Sequence, residues 1–417
     1  MTHDGVETDL DLGHYERFLD FETSKYSITL SGSIYKELIE RERAGGFHGK
    51  TVQLVPHFTG LVCEKIEKAS AESDIHIVEI GGTIGDYEGL PFVDAIRLFA
   101  NKVGRRNCLY VSVVYVPFNV LKSGMLAILN DFVGETSEPD MSRWKEFSRR
   151  RAKEYAKTVR IGLVAKYVGS DDTYMCVTEA LKAAAAWDKV NLELRWVNAE
   201  EVEKNVGLLK GLDGIVVPGG FGARGVEGKI RAAEYALEHD VPYLGLCLGL
   251  QVACIAAARQ GGIKGANSEE FGADEKDGNN VIYIMEGQRG KESTDGTMRL
   301  GDYKAVLKPR SRAAKIYQKA AERGEYVYET EVLKDGGVEV IERHRHRYEV
   351  NQKFLDEIRA GGVKVSGFSP DEKLVEYVEA PECRFFVATQ AHPEFKSRPL
   401  HPHPLFREFV KAAGSKK

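Results

Sequence analysis

No stretch of this chain approaches the roughly 18–20 consecutive apolar residues that a membrane-spanning helix requires, so the sequence is not read as that of a membrane protein. Cysteine is sparse and unpaired: the six residues at 63, 108, 176, 247, 254 and 383 form no CxxC motif. That spacing excludes a zinc ribbon and a disulfide framework, and it fits reduced thiols in the cytoplasm. Neither sign of charge dominates, since the formal net charge is −5. Nothing in that balance favours a nucleic acid or an anionic membrane surface as a partner. The first nine residues, MTHDGVETD, are polar and acidic, without the apolar core of a signal peptide, so a cytoplasmic location is expected. Internal repeats and low-complexity tracts are missing too. What remains is an ordinary globular composition, 43% hydrophobic and 29% charged over 417 residues, with room for two or three domains.

Apolar runs alternate with helical patterns along the whole chain, which predicts an α/β class built on parallel sheets. In residues 1–140 strands are expected at Val52–Pro56, Ile75–Ile80 and Leu109–Val116. Helices are expected there at Ser33–Ala44, Leu61–Ala71 and Phe92–Lys102. Residues 141–158 hold the charged segment Ser142–Lys157, free of glycine and proline, which predicts an exposed connecting helix. Residues 159–417 form a second block, with strands at Val159–Ala165, Leu192–Val197, Gly214–Val217 and Val241–Leu246. Its helices are expected at Tyr174–Trp187, Glu227–Glu238 and Leu248–Arg259, and Asn267–Lys291 reads as a polar surface loop. Two doubly wound domains are therefore expected, with chemistry at the carboxyl ends of their strands.

Three features of the second block converge on acyl transfer through a thiol. Cys247 sits in Gly245-Leu-Cys-Leu-Gly249, where an apolar strand gives way abruptly to a helix. The helix N-terminus favours a thiolate there, and the geometry is that of a nucleophile elbow. Pro218-Gly-Gly-Phe-Gly222 follows another strand and can expose backbone N–H groups as an oxyanion hole does. Gln390-Ala-His-Pro-Glu-Phe395 places His392 at a strand end, with Glu394 two residues on to orient it. Taken singly, each has a plainer reading: a buried structural cysteine, a tight turn, a surface histidine. Together, in the order Cys, His, Glu, they form a nucleophile, its base and the group that orients the base.

These segments resemble the class I glutamine amidotransferases. The stretches Glu342–Asn351 (ERHRHRYEVN) and Gly296–Gly301 (GTMRLG) are similar to the glutaminase half of the CTP synthase family, a likeness that spans residues 159–412. Without it, the basic run could pass for a phosphate patch or a metal tract. The resemblance implies that Cys247 attacks the glutamine carboxamide, His392 shuttles the proton and Glu394 orients it. It implies an oxyanion hole from the backbone of Gly220 and Leu248. It also implies a glutamine pocket of Gly220, Gln251, Glu270 and Arg347, an arginine suiting the α-carboxylate and a carboxylate the α-amino group.

The first block is similar to the same family at Glu7–Phe18 and Val78–Phe92. There the resemblance implies Glu79 as a magnesium ligand and Asp86, Tyr87 and Glu88 as pyrimidine-nucleotide contacts. It further implies ATP and Mg2+ as cofactors, UTP and CTP as ligands, and a homo-oligomer, a tetramer in the family. No glycine- and lysine-containing phosphate loop precedes Asp9. Ala44–Thr51 (AGGFHGKT) imitates one but follows a helix instead of a strand. After Val116-Pro-Phe118 the family's UTP-binding segment and several further elements have no counterpart, and the chain passes from Lys122-Ser-Gly124 to Asp131–Asp140. The resemblance thus implies a complete class I glutamine amidotransferase domain beside an incomplete synthetase domain of the P-loop NTPase-like type.

Overall fold

The computed structural model describes residues 1–71, 73–112, 140–168, 171–271, 278–285, 287–290, 298–325 and 328–415. It divides the chain into two compact units: Met1–Thr23 with Met141–Lys417, and Ser24–Asp140. The expected domain 1–140 is thus split, because its first 23 residues pack with the second block.

The larger unit opens with helix α1 (Leu10–Leu19). Its centre is a ten-stranded sheet, ordered β2-β1-β3-β4-β13-β12-β11-β7-β9-β8. The strands on one side are β1 (Thr158–Ala165), β2 (Asn191–Asn198), β3 (Gly214–Val217), β4 (Tyr243–Leu246) and β13 (Phe386–Thr389). All pairings among these five are parallel. The other side is antiparallel: β12 (Val375–Glu379), β11 (Lys364–Phe368), β7 (Arg299–Leu307), β9 (Val338–His346) and β8 (Thr330–Val332). A small second sheet joins β10 (Tyr348–Val350), β6 (Asn280–Ile284) and β5 (Asn267–Ser268). The segment expected as a surface loop after Asn267 therefore contains two strands, paired in parallel from Asn267 to Asn280.

Alternation along the central strands explains why both faces are covered. Val159, Ile161 and Leu163 of β1, Val216 of β3 and Leu244 and Leu246 of β4 point to one core, with helices Met175–Asp188, Arg312–Glu322 and Pro404–Gly414. Val164, Ile215, Val217 and Tyr243 point to the other, with helices Val226–His239 and Leu248–Gln260. Strands buried on both faces read as continuous apolar runs, which is why their positions were legible to within a residue or two. The exposed segment at 142–157 is helical only over Ser142–Ala152. A run of three arginines closes that helix, where cations suit its C-terminal dipole.

The smaller unit is helical in its described residues: Ser31–Arg43, Thr59–Ser70 and Leu90–Val103. The expected helices are all present, each within two or three residues of the predicted bounds. Among the described residues of this unit the expected strands are not formed. Residues 75–80 carry no regular structure, Leu54–Phe58 is a single π-helical turn, and 109–112 are irregular, while 113–116 lie outside the described residues. A strand needs neighbours that satisfy its backbone and cover its side chains, and the described residues of this unit supply none. The segments 116–118, 122–124 and 131–139, and Gly296 and Thr297, also lie outside the described residues.

Candidate active site

Every expected glutaminase residue except Gln251, Glu270 and Arg347 lies just past the carboxyl end of a parallel strand or within that turn: Gly220 after β3, Cys247 and Leu248 after β4, His392 and Glu394 after β13. The order β2-β1-β3 reverses direction at β1, so the ends of β1 and β3 border the sheet's switch point, where such folds bind ligands.

The elbow is built by close packing. Cys247 has φ 53° and ψ −102°, a left-handed conformation unusual for a residue with a Cβ, and leads directly into the Leu248–Gln260 helix. A Cβ on Gly249 would stand 2.2 Å from the carbonyl oxygen of Val217, and one on Gly245 would stand 2.8 Å from the Cβ of Ala388. The Tyr243 hydroxyl donates to the Gly249 carbonyl at 2.8 Å, and the Cys247 N–H donates to Thr389 at 2.8 Å. Strain at the nucleophile is thereby held by both neighbouring strands.

Around the sulfur, the Gln390 amide and the Arg345 carbonyl each lie 3.8 Å from Sγ. His392 Nδ1 is 2.8 Å from Glu394 Oε1, and both side chains are buried. The other edge of the imidazole faces Cys247. A Cβ on Gly219 would meet His392 Cε1 at 2.8 Å and Cys247 Cβ at 3.5 Å, so a glycine is what lets thiol and imidazole share this space. Burial works against a charge on His392, yet the Glu394 carboxylate and Cys247 outweigh it and raise the imidazole to about 10. A thiol, an imidazole held up in this way and an orienting carboxylate can attack an amide carbonyl and return a proton to the leaving nitrogen.

Gly220 and Leu248 come together, with a Cβ on Gly220 falling 3.8 Å from Leu248 Cδ2. Gln251 is buried and donates to the Tyr348 carbonyl at 2.9 Å. Glu270 accepts from the Gly222 N–H at 2.7 Å. Its burial raises the carboxyl above the usual range, against the pull of that N–H and of Lys166, Lys229 and Arg347. Arg347 is buried on the short link between β9 and β10.

Sequence reading missed two groups. The first is a pair of buried lysines, Lys166 at the end of β1 and Lys229 on the Val226–His239 helix, which bind the Pro218–Gly222 turn. Lysine scarcely ever goes fully buried without partners, but a single lysine in an amphipathic helix carries no such mark in sequence. The second is the basic run itself. Arg343 Nη1 is 2.9 Å from Glu16, Arg345 Nε is 2.7 Å from Glu7, and the Arg343 carbonyl accepts the His392 N–H at 2.7 Å. Alternate arginines of β9 thus pin the N-terminal segment with their side chains, while their backbone carbonyls touch the catalytic pair. A cavity of about 300 Å³ lined by Arg17, Phe18, Phe147, Met175 and Arg398 contains none of the site residues.

The nucleotide-side residues are placed differently. Glu79, Asp86, Tyr87 and Glu88 lie exposed on irregular backbone of the smaller unit. Among the described residues no group of three or more His, Cys, Asp or Glu side chains could hold a metal. Magnesium is usually bound through one or two carboxylates together with substrate phosphates, so no such cluster is required of it, and the exposed Glu79 would supply a single oxygen ligand. In Ala44–Thr51 the left-handed Gly45, His48 and Gly49 form a turn after the Ser31–Arg43 helix, the reverse of a phosphate loop that opens a helix.

The fold and the Cys-His-Glu site define the class I glutamine amidotransferase type, and a family model described as "Glutamine amidotransferase class-I" matches residues 171–412. A second, "CTP synthase N-terminus", matches residues 1–125. The chain belongs to the CTP synthase family. It is 40% identical to the CTP synthase of Lactiplantibacillus plantarum over 489 residues, covering 99% of this chain and 87% of that one. It is also 40% identical, over 488 residues and with the same coverage, to the CTP synthase of Caldanaerobacter subterraneus. Among solved structures it is similar to "Trypanosoma brucei CTPS - glutaminase domain with bound acivicin", at 37% identity and TM-score 0.53, over 62% of this chain and 95% of that one. The first alignment runs over 489 residues while this chain has 417, so at least 72 aligned positions (489 less 417) are gaps on this side. No helix among the described residues is long and apolar enough to cross a membrane.

Proposed function

We propose that this chain hydrolyses glutamine to glutamate and ammonia at Cys247, the glutaminase half-reaction of a CTP synthase. The observation that carries the reading is the buried His392–Glu394 contact at 2.8 Å, with the opposite ring edge toward a cysteine on a strained elbow. Cys247 Sγ attacks the side-chain carbonyl carbon of glutamine, and its proton passes to His392. The resulting oxyanion is met by the N–H groups of Gly220 and Leu248. His392 returns the proton to the nitrogen, the C–N bond breaks, and ammonia leaves a γ-glutamyl thioester. Water, deprotonated by His392, then attacks the thioester, releasing glutamate and the free thiol. Arg347 holds the α-carboxylate and Glu270 the α-ammonium of the substrate. The expected outcome of Cys247→Ala is loss of glutamate release by about 10³-fold or more with the fold retained. Equal rates in wild type and variant would remove Cys247 from this role.

In the family the ammonia aminates UTP in a reaction driven by ATP and Mg2+. We infer that this chain alone does not complete that reaction, a reading supported by the alignment gaps and by the exposed, scattered nucleotide-side residues. CTP formation from purified protein, UTP, ATP, Mg2+ and glutamine would overturn it. A second reading is favoured by apolar side chains left in solvent on the smaller unit, Ile77 at 87% and Ile84 at 75% exposure. Such a surface suits association with further subunits, of this chain or of a full-length homologue. Size-exclusion chromatography with and without that homologue separates the two readings. The cytoplasm remains the proposed location.

A further inference from the structure

The Pro218–Gly222 turn accepts an unusual set of bonds. Lys229, fully buried, donates from Nζ to the carbonyls of Pro218 at 2.8 Å and Gly219 at 3.3 Å. Lys166, 3% exposed, donates to the carbonyls of Phe221, at 3.1 Å, and Gly222. Four of the turn's five carbonyls are therefore held by two lysines from different elements. The peptide unit is planar and trans, so its C=O and N–H point in opposite directions. The carbonyl of Gly219 and the N–H of Gly220 belong to one such unit. Anchoring the oxygen on Lys229 therefore fixes the direction of the N–H on the other side. The same holds two peptides further on, where Lys166 takes the Phe221 oxygen and the Gly222 N–H donates to Glu270 at 2.7 Å.

Resting on the glutaminase reading above, we propose that Lys229 is a positioning residue for the oxyanion hole. It locks the Gly219–Gly220 peptide with its N–H toward the tetrahedral intermediate, while Lys166 locks the Phe221–Gly222 peptide and ties the hole to Glu270 in the substrate pocket. Glycine at 219 admits the close approach of His392 and glycine at 220 adopts φ 155°, but the pair also leaves this backbone free to rotate. A turn of two flexible residues that must present one N–H needs an external restraint, and the lysines provide it. Burial holds the Lys229 ammonium well below its usual range, with Lys166 adding to this. The clamp is indifferent to that, because a neutral amine keeps two N–H donors for two carbonyls. Neither lysine hydrogen-bonds to the sulfur, and Lys229 feels Cys247 only through space, so an effect on the transition state is separated from one on the thiol by measuring alkylation beside turnover.

That separation gives the test. Lys229→Met keeps the apolar stem and removes the donors. The full chain carrying it is compared with wild type for glutamate release and for alkylation of Cys247 by iodoacetamide, which forms no oxyanion. Loss of one oxyanion donor lowers kcat by about 10²-fold. The expected result is a fall of that order in kcat, with KM and the alkylation rate each within about threefold of wild type. Unchanged kcat would overturn the proposal while leaving the glutaminase reading intact. A parallel fall in alkylation would also overturn it, marking Lys229 as merely structural. Wild type without Cys247-dependent glutamate release would overturn both. Should Lys229→Met fail to fold, Lys166→Met decides by the same measurements, with kcat lowered and alkylation kept, and with KM raised through Glu270.

Discussion

The two units of this chain treat the same kind of sequence, apolar runs between helices, in opposite ways. In the larger unit the runs of β1, β3 and β4 are strands covered on both faces, and glycines sit where a Cβ would strike backbone, as at Gly249, 2.2 Å from Val217, and Gly228, 1.8 Å from Ala199. In the smaller unit the described core is six residues, Ile34, Leu38, Phe58, Leu61, Val62 and Ala95, and Gly32, Gly60, Gly81 and Gly85 would meet nothing within 4 Å. Its apolar run at 75–80 lies open, with Ile75 at 60% exposure. An apolar run is a strand only where partners exist to pair its backbone and bury its side chains. The residues of the proposed glutaminase site all belong to the larger unit.

The comparison can be broken most severely at the link between the N-terminal segment and that sheet. Arg343 and Glu16 are both buried, and removing Arg343 leaves the Glu16 carboxylate with only the longer Arg398 contact at 3.7 Å and its Thr23 bonds. Arg343→Ala is expected to destabilise the larger unit by about 3–5 kcal/mol in chemical denaturation. It should also lower glutaminase activity, because losing that anchor lets β9 shift, and with it the backbone carbonyl at 343 that accepts the His392 N–H. Melting of the large unit at the wild-type denaturant concentration would show that the segment is not integral to it.

Gly249→Ala asks whether the elbow is as tight as its contacts imply. The added methyl cannot coexist with the Val217 oxygen, so a loss of about 1–3 kcal/mol is expected, together with a lower alkylation rate at Cys247. Gly60→Ala, near the start of an uncrowded helix, should instead stabilise the smaller unit by up to about 1 kcal/mol. Losses of similar size at both positions would erase the contrast in packing.

The pH dependence of stability sharpens the electrostatic side. Against burial, Glu394 and Cys247 raise His392 to about 10, above its ordinary value of 6.5. A folded-state value above the unfolded one stabilises the protein fully below about pH 6.5, and that stabilisation is lost as pH rises through 10. The stability difference between wild type and His392→Gln should therefore be larger near pH 6 than near pH 10.5. A difference independent of pH would mean that the imidazole carries no extra charge in the folded state.

Some of this was legible in the residues alone. The apolar runs of a doubly covered sheet and the helices between them need no tertiary knowledge, because their periodicity is local. The order Cys247, His392, Glu394 and the glycines at 219 and 220 announced the chemistry, since few other arrangements call for those residue types after strands. The antiparallel half of the sheet, the strands at 267–268 and 280–284, and the clamp of Lys166 and Lys229 were not legible. Each depends on a partner outside its own element: Lys229 is an ordinary helical lysine until the turn at Pro218 is folded over it. Arg343 and Arg345 likewise read as part of a basic run, and only the alternation of β9 turns their side chains toward Glu16 and Glu7. Sequence determined which residues could react, because side-chain chemistry and strand-to-helix turns are local. Tertiary structure decided which of them are held in place, because burial and peptide orientation are set by neighbours the sequence does not name.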